Sequence, residues 1–269
     1  MPISPEMSKR LEAGDLDGAI ALANDYVRRR PTDCMGRAEL AELLCFKGDL
    51  ERADKQLEVI AGQDPSIAVG VALFRQLLCA EEARQQFYTE CRLPEFVDAP
   101  TPHEQIYLRA AVALQNADNA GALELLQQAE AARVHRSGSV DGKAFDDLRD
   151  LDDLSAAHLD VLTSTGKFYW IPIRLVERLQ LHKPERQRDL IWRRATLELS
   201  KGPSGEVFIA ALYPRLNGET SPAQQLGRET DYAGGDGAAV RGRGLRCFLV
   251  GEESRPIYEV ERIEFAAAG

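Results

Sequence analysis

The chain has 269 residues, 44% of them apolar and 28% charged, with a formal net charge of −10. That balance excludes a disordered polar tract and supplies enough apolar side chains for one large core or two ordinary ones. The acidic excess argues against a nucleic-acid partner, since a duplex-binding protein shows the reverse charge. The longest apolar stretch, Ile67 to Phe74, is too short for a membrane span, and the amino-terminal MPISPEMSKRLEAGD lacks the apolar core of a secretory leader. The expectation is a cytoplasmic protein. Cys34, Cys45, Cys79, Cys91 and Cys247 form no C-x-x-C pair, and His103, His135, His158 and His182 show no zinc-type spacing. Small, buried free thiols and no metal are expected.

The first half repeats itself. Gly14-Asp15-Leu16-Asp17-Gly18-Ala19 returns as Gly48-Asp49-Leu50-Glu51-Arg52-Ala53, and Pro31 returns as Pro65, both at an offset of 34. This is the period of tetratricopeptide-like helix pairs. Glycine suits the point where one helix stops and turns, alanine lets the second helix pack closely, and proline ends it. Leu40, Ala41 and Leu44 take packing positions on one helix of the second unit, Leu57 and Ile60 on the other. A fainter copy runs from Glu104 to Gln115, turns near Ala117-Asp118-Asn119 and continues from Ala122 to Ala132. Between them, Ile67 to Cys91 is apolar and helical but lacks the turn signature at Glu82. The expectation is a TPR-like α/α superhelix over residues 1–137. Its register turns Met35, Glu42, Phe46, Tyr107 and Leu114 toward a concave groove fit for an amphipathic helix. The alternative for each is packing against the next helix or against the second domain. On the groove reading, Phe46→Asp or Tyr107→Asp would weaken partner binding with little change in melting temperature.

A Gly/Ser/Asp stretch at 135–142 marks the expected boundary, and residues 138–269 read as an α+β domain with antiparallel β-hairpins. Phe145 to Leu154 carries leucines at 148, 151 and 154 within an acidic run, which reads as an acidic helix start with Arg149 as an internal partner, not as a metal site. Ala156 to Thr163 is amphipathic, and Pro172 opens a helix through Leu181. Residues 172–201 hold eight Lys/Arg against four acids, so pairing with the acidic run is expected. Ala195–Ser200 and Glu206–Tyr213 read as one hairpin, Leu245–Val250 and Ile257–Phe265 as a second, with a polar, glycine-bearing loop between the two hairpins. Neither the glycines nor Ser204 stand in a nucleotide-binding or nucleophile-elbow context. No cofactor is indicated. A hydrolytic constellation around Asp150 and Arg228 is conceivable and would require a deep polar pocket there.

Five ordered blocks resemble the signatures of the ImpE family, also called SciE or TagJ: FDDLRDLDD at 145–153, GKFYWIP at 166–172, DLIW at 189–192, GEVF at 205–208 and LGRETD at 226–231. The blocks place Asp147, Arg149, Asp150, Asp153, Tyr169, Trp170, Pro172, Trp192, Gly227, Arg228 and Asp231 at signature positions without an assigned role. The resemblance implies a non-enzymatic accessory protein of bacterial type VI secretion. It implies binding to the N-terminal amphipathic helix of the small contractile-sheath subunit, and through it a relation to the AAA+ ATPase that recycles the sheath. A chaperone or scaffold for another component of that machine is the alternative.

Overall fold

The computed structural model describes residues 4–216 and 220–266. Seven helices come first: α1 (Pro5–Glu12), α2 (Leu16–Arg29), α3 (Cys34–Lys47), α4 (Leu50–Gln63), α5 (Ala68–Glu90), α6 (Pro102–Gln115) and α7 (Asn119–Ala131). The 34-residue echo has a physical basis. Gly48 ends α3 in the left-handed conformation at φ +82°, and Asp49 then caps α4 by accepting from the Arg52 backbone N–H. Gly14 and Asp15 do the same between α1 and α2. In the faint third copy, Ala117 occupies the left-handed position at φ +58° and Asp118 caps α7. Ala19, Ala53, Ala110 and Ala122 are fully buried where paired helices cross. The unit without a turn signature is a single helix, α5, of 23 residues. Among the described residues, no single helix is long and apolar enough to cross a membrane.

The second half is predominantly strand, with antiparallel pairing. An eight-stranded sheet runs β2 (Lys143–Phe145), β1 (Gly138–Val140), β13 (Arg262–Phe265), β6 (Val176–Leu181), β7 (Trp192–Leu199), β8 (Gly205–Ala210), β4 (His158–Leu162), β5 (Phe168–Pro172) in spatial order. A three-stranded sheet orders β12 (Glu253–Pro256), β11 (Cys247–Val250) and β3 (Leu148–Asp150), while β9 (Thr230–Gly235) pairs with β10 (Ala238–Gly244). A short α8 (Pro222–Gln225) precedes β9. The hairpin of β7 and β8 stands where the sequence placed it.

Four local expectations change. The segment from Pro172 to Leu181 is the end of β5, a single 3-10 turn and β6, not a helix. The acidic run at 145–154 contains β3 followed by a turn in which Asp150 accepts from the Asp152 N–H and Asp152 from the Leu154 and Ser155 N–H groups. Such side-chain-to-backbone bonds compete with helix formation. The amphipathic Ala156–Thr163 contains β4, whose five residues are all buried. The chain after Leu245 forms β11 and β12 as a hairpin, whereas β13 leaves to join β1 and β6; the polar loop before it contains the β9–β10 hairpin.

The two halves share their cores. One apolar cluster joins Met7 to Ala80 of the helices with Val140 to Ile263 of the sheets. A second joins Phe87, Tyr107 and Leu126 with Leu154, Phe168 and Trp170. Cys45 and Cys247 are buried, but Cys79 and Cys91 are exposed, so the expectation of interior thiols fails for those two.

Candidate partner groove and the buried junction behind it

Much of the helices' buried surface packs against the chain's own second half. Phe46, only 3% exposed, lies in the shared core, and Arg215 donates to the Cys45 and Phe46 carbonyls at 3.1 and 2.6 Å. Tyr107 is buried with its ring edge-on to His158 and Trp170, and Leu114 packs half-buried against the same cluster. The groove-facing expectation is therefore corrected for Phe46 and Tyr107, which lie in cores shared with the sheet half, and Leu114 is half-covered by the cluster around Tyr107.

Met35 and Glu42 line an open groove of about 540 Å³ between α3, the start of α5 and the 185–188 segment of the sheet half. Met35 is 46% exposed and Ile67 36%, an unusual exposure for large apolar side chains on a shared face. Val71 and Phe74 form the apolar floor. The Arg188 guanidinium lies 4.6 Å over the Phe74 ring and 3.7 Å from the Glu42 carboxylate. Burial lifts the Glu42 pKa, with Arg188 acting against that rise. The groove thus has an apolar floor, an apolar lip and an ion pair at one wall.

Behind it, charged side chains are sealed between the halves. On α5, Arg84 donates to Asp160 of β4 at 2.8 Å and to its own neighbour Glu81 at 3.0 Å. Arg246 bridges Asp160 at 2.7 Å and Asp150 at 2.5 Å, and both its partners are fully buried. Trp192 donates its indole N–H to Glu81 at 3.0 Å, and Tyr213 its hydroxyl to Asp150 at 2.8 Å. Burial works against the charge of Asp160, but Arg84 and Arg246 hold its pKa below the ordinary carboxylate value. Burial pushes Asp150 up to about 6, with Arg246 opposing. Nearby, Asp152 is paired with Arg241 at 2.9 Å.

These contacts account for several signature positions. Asp147 pairs with Arg133 at 2.5 Å, Arg149 with Asp153 at 2.8 Å and with Glu130 at 3.2 Å. The acidic run is thus met by arginines 133, 149, 241 and 246 and not by the basic 172–201 segment, whose Arg174 instead meets Glu104. Trp170 is buried and stacked on His158 at 3.8 Å; Tyr169 is half-buried, and Pro172 closes β5. Gly227 adopts φ +65°, and a Cβ there would strike Leu212 and Tyr258 at 2.9 Å. Arg228 is exposed and donates to the Glu12 carbonyl of α1, while Asp231 is exposed on β9. Asp150 and Arg228 are therefore not brought together, and Asp150 is closed to any substrate. The residues that sequence reading missed are Glu81, Arg84, Asp160 and Arg246. Glu81 and Arg84, an i,i+3 pair inside an apolar helix, were the available signal.

This architecture defines a helical-repeat scaffold packed onto an antiparallel β half, with an open groove along α3. Residues 142–264 match the family model described as ImpE protein, which supports kinship to the ImpE family. It is similar to the type VI secretion system accessory component TagJ of Pseudomonas aeruginosa, with 26% identity over 255 residues, covering 95% of this chain and 89% of the relative. The X-ray structure of protein VPA1032 from Vibrio parahaemolyticus superposes with a TM-score of 0.91 at 27% identity, covering 98% of both chains.

Proposed function

We propose that the protein is a cytoplasmic, non-enzymatic adaptor of type VI secretion that receives a helical segment of a partner. The partner is the small contractile-sheath subunit, through its N-terminal amphipathic helix, and the complex thereby communicates with the AAA+ ATPase that recycles the sheath. Residues 1–137 carry the partner, and residues 138–269 brace that array from within. Kinship to an accessory component across nearly the whole chain supports the secretion role. The observation that carries the helical-ligand reading is the groove along α3. Met35 and Ile67 stand exposed at its lip over the Val71–Phe74 floor. A helix of 14 residues such as α3 offers a wall of about 21 Å, long enough to meet several turns of a ligand helix.

The test is calorimetric titration of the full chain with a synthetic peptide of that sheath helix. Binding with a negative heat-capacity change, lost in the Met35→Asp/Ile67→Asp double variant at unchanged melting temperature, supports the reading. Undiminished binding by the double variant places the ligand elsewhere. Absence of binding by the native chain directs the adaptor role to another component of the machine, as chaperone or scaffold.

A further inference from the structure

A smaller cavity lies where α6, the chain following α7 and the β5–β6 connection meet. Its volume of about 50 Å³ holds roughly three or four water-sized positions. His158 lines it, is 1% exposed, and has no hydrogen-bond partner on either ring nitrogen. The ring cannot turn away to find one, because Trp170 stacks on its face with planes 10° apart and Tyr107 meets its edge. Two unpaired nitrogens on one buried side chain are costly unless something in the cavity meets them.

The walls decide what that something is. Arg133 is matched by Glu130 and Asp147, and Arg174 by Glu104, which also accepts from the Thr101 N–H. Arg136 is different. It donates to the carbonyls of Ile173, Arg174, Val176 and Ala266, and among the described residues it has no carboxylate partner. The cavity therefore presents one positive charge that no described carboxylate contacts, Glu177 acting on it only from beyond ion-pair distance, together with an imidazole that can give one hydrogen bond.

We propose that this cavity is a carboxylate-binding site, with Arg136 supplying the charge and His158 an N–H donor. A single negative charge balances Arg136. A phosphate dianion would exceed it and would face Glu104 as well. The carboxylate can belong to a free small acid or to the end of a peptide chain.

The experiment follows the histidine ring resonances of the full chain by NMR during titration with sodium acetate, with sodium phosphate, and with triglycine in free-acid and C-terminally amidated forms. Acetate should move the His158 resonances saturably, and phosphate should not. A matching shift with free triglycine, absent with the amide, assigns the site to chain ends; a shift with acetate alone assigns it to small acids. Arg136→Gln should weaken acetate binding by about tenfold, as loss of a partly buried charge contact does. Should that variant unfold, His158→Phe keeps the stack on Trp170 and should lose the rise in melting temperature that acetate gives the native chain. Linear, non-saturating shifts with acetate, equal binding of phosphate, or unchanged acetate stabilisation in His158→Phe would each overturn the proposal.

Discussion

His158 gives the protein an acid-sensitive core at mild pH. Burial lowers its pKa from 6.5 to about 3, with Glu104 and Asp160 favouring the proton and His103 and Arg174 opposing it. The folded value lies below the unfolded one, so the unfolded chain takes up the proton first. The contribution to stability is complete above about pH 6.5 and is lost progressively as pH falls toward about 3. Between about pH 7 and pH 5 the loss from this one ring is about 2 kcal/mol, at roughly 1.4 kcal/mol per unit. For a chain of this size that corresponds to about 4–8 °C in melting temperature. Asp150 acts in the opposite sense, because burial raises its carboxyl to about 6 and acidification below that value favours the fold. The measurement is therefore a difference. Native chain and His158→Phe are unfolded in urea at both pH values, in a carboxylate-free buffer, and the Asp150 contribution cancels between them. Phenylalanine keeps the ring stacked on Trp170 and forfeits no hydrogen bond, since neither nitrogen has one. The native chain should lose about 2 kcal/mol more than the variant on acidification. Parallel losses in the two proteins would refute the assignment of His158 as a neutral buried base.

Four further outcomes follow from the packing. Phe46→Ala should cost about 3–5 kcal/mol of stability, read from denaturant midpoints, because the side chain lies in the core shared by both halves. Asp160→Ala leaves Arg84 and Arg246 without their common carboxylate and should cost about 3–5 kcal/mol by the same assay. Gly48→Ala places a Cβ in the left-handed region against the Arg215 guanidinium and should lower stability by about 1–2 kcal/mol. Ala117→Gly at φ +58° relieves the same conformational cost and should raise stability by roughly 0.5–1 kcal/mol after the entropy of glycine is counted; a fall in melting temperature would contradict that account.

The helical half was legible because its punctuation is local. Gly48 and Asp49 carry their own reasons for ending one helix and starting the next, and no distant residue is needed to see them. The sheet half was misread where long-range pairing changes the local period. Val176 and Leu179 stand three residues apart, as on a helix, because the register of β6 against β7 shifts between Val176 and Arg178. A bulge of this kind breaks the alternation by which a strand is recognised. The β9–β10 hairpin did carry a signal. Asp236-Gly237, both at positive φ, form the two-residue turn that such dipeptides favour, yet the flanking glycines masked it. The groove was half visible. Met35 and Glu42 follow from repeat register, but its opposite wall, Arg188 and its neighbours, comes from more than a hundred residues away. That same distance made Phe46 and Tyr107 look free when the sheet half covers them.

The sealed charges also make the two halves depend on one another. Glu81 and Arg84 pair within α5, so the helical half matches these two charges with its own residues. Asp160 takes its first cation from α5 and its second, Arg246, from a segment 86 residues further along the chain. Stripping water from these groups is costly until all of them are present. Closure of the two halves is thus tied to Arg246: without it, Asp160 is left with Arg84 as its one cation and Asp150 loses its ion-pair partner.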